Sequence, residues 1–148
     1  STFRYYADYV LTLKNETDVA LPSQEFSATL SKEPIGVAAL IMPWNFPMVT
    51  TSWKLAPALA AGCTVILKPS EITPIAEIAL MRLIASAGLP NGVVNLVTGS
   101  GADIGDALIS HPDVNKISFT GSNKVGQCQL FDRRRRLVIK VSQLAVTV

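Results

Sequence analysis

The sequence has few of the residues from which many catalytic and metal sites are built. Its 148 residues include a single histidine, His111, so catalytic triads with a histidine base and histidine-containing zinc sites are not expected. The two cysteines, Cys63 and Cys128, are too few for a disulfide framework or a set of metal ligands. We therefore predict no metal site, and a reducing compartment is favoured.

Long apolar segments are absent as well. No run of about 18 uncharged apolar residues occurs, so no transmembrane helix is predicted. The first ten residues lack the basic and then apolar pattern of a secretory signal. Because the sequence starts with Ser1 and not with Met, we expect it to begin inside a longer reading frame. These features predict a cytoplasmic protein that does not contact a membrane.

The excess of positive charge lies near the C-terminal end. Residues 1–127 contain eight basic and ten acidic side chains, whereas residues 128–148 contain five basic side chains and one acidic one. The run Arg133 to Arg136 could contact nucleic acid. A solvated or non-native segment is the better interpretation, because no aromatic or base-reading pattern accompanies the arginines. We do not expect the rest of the chain to bind nucleic acid.

Apolar and polar segments alternate along the chain in a pattern typical of α/β proteins. Short apolar runs predict buried strands at 35–41, 63–67, 93–97 and 116–119, and an alternating segment predicts an exposed antiparallel strand at 25–30. Helices are predicted at 5–13, 48–61 and 102–110, and a further helix is opened by residues 70–74 and runs to 87. This alternation predicts a Rossmann-like parallel sheet with helices on both faces.

Ligands of such sheets bind beyond the carboxyl ends of the strands, so the segments that follow the strands are the candidate sites. After the first buried strand, Asn45 offers an amide that could bind an anionic oxygen, and Trp44 offers a flat apolar surface. An Asx turn in which Asn45 caps the following helix remains an equal alternative. After the second strand, Lys68 and Glu71 could bracket the ribose of a nucleotide. A capping box at Ser70 or Thr73 is the alternative there, and the two can coexist.

The segments after the third and fourth buried strands are rich in glycine. Residues 98–105 are close to the dinucleotide-binding fingerprint, but they have one residue too many before the last glycine and follow the wrong strand. Gly121 and Ser122 precede a predicted helix, where free backbone N–H groups and a hydroxyl favour an anion. Each segment alone is compatible with an ordinary turn. Four of them at the ligand-facing edge indicate a nucleotide site.

The same segments, in this order, resemble the aldehyde dehydrogenase superfamily. The resemblance rests on Pro-Trp-Asn-Phe-Pro at 43–47, Trp-Lys at 53–54 leading into 56–63, Lys-Pro-Ser-Glu at 68–71 and Phe-Thr-Gly-Ser at 119–122. Betaine-aldehyde dehydrogenases and related broad-specificity branches are most similar. The resemblance covers Phe3 to Gln127, so we predict a partial NAD-binding domain at 1–127 and a divergent tail at 128–148.

The resemblance implies a role for individual residues. Asn45 would contribute to the oxyanion hole and Lys54 would support catalysis. The implied cofactor-binding residues are Met42, Pro43, Trp44, Lys68, Pro69, Ser70, Glu71, Gly101, Phe119, Thr120, Gly121, Ser122 and Val125. Glu71 would repel a 2′-phosphate, so NAD is favoured over NADP. In this family a thiolate attacks a small-molecule aldehyde, hydride passes to the nicotinamide, and the thioester is hydrolysed by a homo-oligomeric enzyme.

The sequence departs from the family pattern after Gln127. The Glu-Leu-Gly-Gly motif with the general base and the Gly-Gln-x-Cys segment with the nucleophile are both absent. Cys128 lacks the intervening residue of that segment, and we interpret Cys63 as a core thiol. The 148 residues are therefore expected to be an inactive coenzyme-binding portion of the enzyme. Because further strands are missing, Ile41, Val65, Leu67 and Phe119 are expected to be poorly covered.

Two alternatives remain open. One is a non-catalytic nucleotide-binding fragment that pairs with full-length subunits through the strand at 25–30. The other is an acyl-CoA reductase of the same superfamily, against which Glu71 and the Pro-Trp-Asn segment argue.

Overall fold

The computed structural model describes residues 1–23, 25–122 and 125, together with the backbone of residues 138–141. The helices in these ranges are α1 (Thr2–Val10), α2 (Pro47–Ala60), α3 (Ile75–Ser86) and α4 (Gly101–Ser110). The strands are β1 (Glu16–Val19), β2 (Ala28–Ser31), β3 (Val37–Ile41), β4 (Thr64–Lys68), β5 (Val94–Leu96), β6 (Val114–Phe119) and β7 (Val138–Val141).

Five strands form a parallel sheet in the order β5-β4-β3-β6-β7. The chain moves outward from β3 through β4 to β5, with α2 and α3 as the connecting helices, and then returns through α4 to β6 on the other side of β3. The strand order therefore reverses between β3 and β6, which is where open α/β sheets bind ligands. The predicted Rossmann-like fold is confirmed.

The apolar runs form strands because they are buried on both faces of this sheet. Leu40 and Val65 belong to a cluster on the face that packs against α2 and α3. Ala39 and Ile117 belong to a second cluster, on the face covered by α4. Alternate residues of β3 thus enter different clusters, as the period of two in a strand requires.

The expectation of a poorly covered sheet is wrong. Val65 and Leu67 are 0% exposed, Phe119 is 5% exposed and Ile41 is 7% exposed. These residues lie in β3, β4 and β6, and the clusters to which they belong include residues of α2, α3 and α4. Exposed apolar side chains occur elsewhere, mainly Leu11 at 84%, Ile75 at 79%, Ile72 at 73% and Phe26 at 71%.

The N-terminal region forms a helix and a separate antiparallel hairpin. Helix α1 begins earlier than predicted, at Thr2, and ends at Val10. Strand β2 begins at Ala28, three residues later than predicted, and pairs with β1, which lies in a segment for which no strand was predicted. Seven of the eight hairpin residues are exposed and Ala28 is half-buried. Because the hairpin buries so few side chains, its sequence lacks the apolar pattern by which β1 could have been recognised.

Candidate functional site

The candidate site lies at the carboxyl edge of the sheet, where hydrogen bonds hold the segments leaving β3, β4 and β6 side by side. The Met42 N–H donates to the Lys68 carbonyl at 3.0 Å, and the Thr120 N–H donates to the Ile41 carbonyl at 3.2 Å. These two bonds continue the strand ladders by one residue. The edge is therefore a fixed backbone frame from which the candidate side chains extend.

Lys68, Glu71 and Gly101 form one cluster at this edge. Lys68 is buried, and its Nζ lies 3.4 Å from Glu71 Oε2, whereas the Glu71 side chain is 54% exposed. A Cβ built on Gly101 would lie 3.9 Å from Glu71 Oε2 and 4.0 Å from Lys68 Nζ. The glycine at the start of α4 thus leaves a small open space directly above the ion pair.

The carboxylate of Glu71 is stabilised in its charged form. Its own backbone N–H contributes most, followed by the hydrogen bond and the positive charge of Lys68, and the Gly101 N–H adds to these. Together they outweigh the small opposing effect of desolvation and lower the pKa of Glu71 below its ordinary value. Glu71 is therefore an exposed, oriented hydrogen-bond acceptor at neutral pH.

Helix α4 supplies a further polar feature beside this cluster. Ser100 caps the helix, because its Oγ accepts hydrogen bonds from the N–H groups of Ala102 at 3.2 Å and Asp103 at 3.5 Å. The cap fixes the first turn, to which Gly101 belongs. The fingerprint-like segment therefore contributes Gly101 to the edge, although its spacing differs from that of a dinucleotide-binding loop.

The capping alternatives for the first two segments are wrong. Helix α2 has Phe46 as its N-cap and α3 has Pro74, and neither helix has a side-chain cap. Asn45 is therefore not used to cap α2 and is half-buried at the edge. Thr73 Oγ1 donates instead to the Trp44 carbonyl at 3.3 Å, which joins the segment after β4 to the segment after β3.

Ser70 and Trp44 differ in how they are placed at the edge. Ser70 Oγ accepts a hydrogen bond from the Ile72 N–H at 3.4 Å, in the turn that precedes α3. The indole of Trp44 is 60% exposed. Pro43, between Met42 and Trp44, is half-buried. The segment after β3 therefore presents a flat apolar surface to solvent.

Lys54 reaches the edge from α2 and bridges β3 and β6. Its Nζ donates to the Ile41 carbonyl at 2.6 Å and to the Ser118 carbonyl at 3.1 Å. Burial lowers the pKa of Lys54 to about 7, because desolvation disfavours the charged ammonium. The amine thus lies at the point where the strand order reverses.

The segment after β6 is partly buried. Thr120 is 4% exposed, and a Cβ on Gly121 would collide with the ring of Phe119, so only glycine fits there without a shift of that ring. Ser122 is exposed, and its Oγ accepts a hydrogen bond from the Val125 N–H at 3.4 Å. The rest of the helix predicted after Ser122 lies outside the described residues, as does Cys128.

Three predicted cofactor-binding residues have their side chains in the core instead of at the edge. Met42 is 3% exposed and belongs to the cluster under α2 and α3, and Phe119 is 5% exposed and belongs to the cluster under α4. Pro69 is also fully buried. The structure therefore brings Lys68, Glu71 and Gly101 together at the edge. The side chains of Met42, Phe119 and Pro69 are instead buried in the interior.

The sequence interpretation missed a buried polar pair between α2 and α3. Glu77 is 0% exposed, and its Oε1 accepts a hydrogen bond from Thr51 Oγ1 at 3.0 Å. Its Oε2 is buried and has no hydrogen-bond partner among the described residues. The helical spacing of 77, 80, 81 and 84 places Glu77 on the apolar face of α3 and is the signal that would have located it.

Neither a metal-binding cluster nor a membrane-spanning helix occurs in the described part of the chain. No group of three or more His, Cys, Asp or Glu side chains there is arranged to hold a metal ion. No helix there is long and apolar enough to cross a membrane.

Comparison with known proteins gives consistent matches. The sequence model of the aldehyde dehydrogenase family matches residues 1–141. Betaine aldehyde dehydrogenase 1 from Oryza sativa subsp. japonica is 45% identical over 148 residues, which are 99% of this chain and 28% of the rice protein. The peroxisomal aminoaldehyde dehydrogenase 1 of Pisum sativum is 51% identical over 126 residues, 84% of this chain and 25% of the pea protein.

A solved structure gives the same result. The betaine aldehyde dehydrogenase of Staphylococcus aureus in complex with NAD⁺ superimposes with a TM-score of 0.87 and 34% identity, covering 95% of this chain and 28% of that one. This chain thus spans about a quarter of the length of the relatives that it matches. The family match extends to residue 141, past the boundary predicted at 127.

Proposed function

This chain belongs to the aldehyde dehydrogenase family, and on that premise we propose that it binds NAD through the adenosine half of the cofactor, as the coenzyme-binding part of an enzyme that oxidises an aldehyde to a carboxylic acid. The observation that carries the proposal is the cluster of Lys68, Glu71 and Gly101 at the carboxyl edge of the sheet. The cluster lies where a parallel sheet binds nucleotides.

The cluster has the chemistry that a ribose requires. Glu71 Oε2 is held by Lys68, which leaves Oε1 of the exposed carboxylate to accept hydrogen bonds from two neighbouring hydroxyls. Lys68 Nζ carries three N–H donors and can share one with a ribose oxygen. Gly101 leaves room for the sugar because it has no side chain above the pair.

The charge of Glu71 supports NAD over NADP. A 2′-phosphate on the ribose would lie against a carboxylate whose pKa is already lowered, so two negative charges would face each other. The solved betaine aldehyde dehydrogenase from S. aureus contains NAD⁺, which is consistent with this preference.

The catalytic roles that we propose concern Asn45 and Lys54. Asn45 would donate its amide N–H to the oxygen of the tetrahedral intermediate, and its side chain is free for this because it does not cap α2. Lys54 would act near that oxygen from the junction of β3 and β6. The nucleophile and the general base would have to come from outside these 148 residues, since the family motifs that carry them are absent from this sequence and Cys63 is buried in the core at 6% exposure.

We propose an amine-bearing aldehyde as the substrate of the whole enzyme, on the names of the betaine and aminoaldehyde dehydrogenases to which the chain is similar. We also propose a homo-oligomer and a cytoplasmic location for that enzyme. The pea relative is named as peroxisomal and an Amaranthus hypochondriacus relative as chloroplastic, so fractionation against those two organelles is the direct test of location.

A second candidate function is a nucleotide-binding fragment that pairs with full-length subunits. The observation that favours it is the β1–β2 hairpin, whose two strands pair only with each other among the described residues and so leave an outer edge on each strand. Co-purification with a full-length subunit, lost when β2 carries a charged substitution, distinguishes this function from nucleotide binding alone.

The first prediction tests the proposed cofactor. NAD should bind this chain through its adenosine half, and ADP-ribose or AMP should compete nearly as well as NAD, because Lys68, Glu71 and Gly101 are assigned to that half alone. Titration calorimetry measures the three affinities. If NAD binds much more tightly than ADP-ribose, the nicotinamide half is also held and the proposal of a half-site is wrong.

A further inference from the structure

Three hydrogen bonds join the segment that leaves β3 to the segment that leaves β4. They are the bond from the Met42 N–H to the Lys68 carbonyl at 3.0 Å, the bond from Thr73 Oγ1 to the Trp44 carbonyl at 3.3 Å and the bond from Thr51 Oγ1 to Glu77 Oε1 at 3.0 Å. The partners follow one another in the same order along both segments, and the last bond joins α2 to α3. Asn45 lies between the second and third bonds on one segment, and Glu71 lies between the first and second bonds on the other.

Glu77 is the member of this series that stability does not account for. Glu77 and Thr51 are both 0% exposed, and Oε2 of Glu77 has no hydrogen-bond partner among the described residues. The side chains that follow it on the same helix, Leu80, Met81 and Ile84, pack against the core cluster on this face of the sheet. Glu77→Leu would extend that apolar surface and bury no carboxyl group, so the glutamate needs a reason other than packing.

We propose that Glu77 is a positioning residue, which acts through Thr51 and α2 to hold Asn45 at a fixed place at the edge of the sheet. The inference rests on the proposed function, because it takes Asn45 as the donor to the oxygen of the tetrahedral intermediate. Such a donor has to stay within about 0.5 Å of its productive place, which requires supporting residues that are themselves locked. It also has to keep a constant distance from the cofactor, which the Lys68–Glu71 pair would hold on the neighbouring segment.

Helix α2 passes the constraint from Glu77 to Asn45. The helix begins at Pro47, two residues after Asn45, and Thr51 lies about one turn further along. Fixing Thr51 against α3 therefore fixes the first turn of α2 and the residues that lead into it. No side chain caps α2, so its start depends on tertiary contacts such as the bonds of Thr51 and Thr73.

The test separates positioning from stability in the nucleotide-free 148-residue chain. In the double variant Thr51→Val with Glu77→Leu, both partners of the buried bond become apolar groups, a change that is often neutral or stabilising. We therefore expect the melting temperature to stay the same or to rise. The NMR order parameter of the Asn45 backbone N–H should nevertheless fall from about 0.85, the value of rigid backbone, to about 0.6 or lower. An unchanged order parameter in this variant would overturn the proposal, because the pair would then only fill the space between the helices.

Two control variants show the opposite patterns. Glu77→Gln retains an oxygen acceptor for Thr51, so the order parameter of Asn45 should be kept. Leu108→Ala removes a buried side chain from the cluster under α4, on the other face of the sheet, so it should lower the melting temperature and leave Asn45 ordered. Loss of order at Asn45 in either control would contradict the proposal, because the order would then not depend on the bond between Thr51 and Glu77.

A second pair of variants decides if the double variant does not fold. Thr51→Val removes the hydroxyl and Thr51→Ser keeps it, so Asn45 should lose order in the first variant and retain it in the second. Equal order in both would overturn the proposal. Failure of AMP to bind the unmodified chain would count against the proposed function alone, since the order parameter is measured without nucleotide.

Discussion

Glu71 and Glu77 lie six residues apart, and their surroundings give them opposite properties. Glu71 is 54% exposed and paired with Lys68, whereas Glu77 is 0% exposed and is held by Thr51 between two helices. The sequence predicted a binding role for the first because Lys68 precedes it by three residues and a buried strand comes before both. The sequence interpretation missed the second, although the helical spacing places it on the apolar face of α3, because a glutamate at a helical position is usually solvated.

The second prediction concerns the carboxylate of Glu71. Glu71→Gln should weaken NAD binding by about 1 to 2 kcal/mol, which is roughly 5- to 30-fold in Kd, because a charge-assisted hydrogen bond to the ribose becomes a neutral one. The preference for NAD over NADP should also narrow, since the repulsion of the 2′-phosphate is removed. Titration calorimetry with both nucleotides measures the two effects.

Glu25→Gln is the matched control for Glu71→Gln. Glu25 is exposed in the segment before β2 and does not belong to the segments at the carboxyl edge of the parallel sheet. It should leave both affinities unchanged. The pKa of Glu71 is lowered, so its carboxylate stays charged throughout the neutral range. The preference for NAD over NADP should therefore be lost only as the pH falls through that lowered pKa. If the unmodified chain binds NADP as well as NAD, the role assigned to Glu71 is wrong.

At the scale of the elements, the sequence predicts the segments that follow the strands better than it predicts how the next helices begin. The backbone bond of Met42 to Lys68 and that of Thr120 to Ile41 are extensions of strand pairing, so the strand prediction already implied them. For the starts of α2 and α3, side-chain caps were the alternatives to a binding role, and neither helix has one. A capping pattern of Ser, Thr or Asn is a weak guide where a proline fixes the first turn, as Pro47 does in α2.

The third prediction concerns the hairpin formed by β1 and β2. When the chain is expressed alone we expect poor solubility or association, because the hairpin has unpaired edges and Leu30 is 56% exposed on it. Leu30→Lys should raise the monomer fraction measured by sedimentation velocity. Leu83→Lys is the matched control, since Leu83 is 66% exposed on α3, and it should have a smaller effect.

A monomer that melts cooperatively at high concentration would contradict the expected association of the chain. The physical reason differs from the one that the sequence suggested. The central strands are covered, and the exposed apolar side chains lie in the hairpin and the segment before β2, in α1, at the start of α2 and along α3.

At the scale of the whole molecule, the order β5-β4-β3-β6-β7 determines which residues meet. β3 and β6 are neighbours although α2, β4, α3, β5 and α4 separate them in sequence, so the segments at 42–45 and 119–122 lie at the same edge. Lys54 bridges these two strands through its bonds to the Ile41 and Ser118 carbonyls. The arrangement places the proposed nucleotide site and Lys54 at the same part of the sheet.

The fourth prediction is that these 148 residues alone do not oxidise aldehydes. The motifs that carry the nucleophile and the general base of the family are absent from the sequence, and Cys63 is buried in the core. The measurement is NADH production from betaine aldehyde and NAD, followed by absorbance at 340 nm. We expect a rate of about zero above the blank. Turnover that Cys128→Ser abolishes would contradict the prediction and assign the nucleophile to Cys128.

The sequence by itself determined the parallel sheet, the order of β3 to β6 and their connecting helices along the chain, and the four segments at the ligand edge. Strands buried on both faces leave continuous apolar runs, and the residues that follow them are local. Only the tertiary structure decided which of those residues meet. Gly101 is thirty residues from Glu71 and reaches it through the packing of α4, Lys54 loses its hydration because α2 lies over β3 and β6, and Glu77 is buried because α3 packs on α2. Each of these depends on which helix covers which face of the sheet, and that is a property of long-range packing that no local pattern contains.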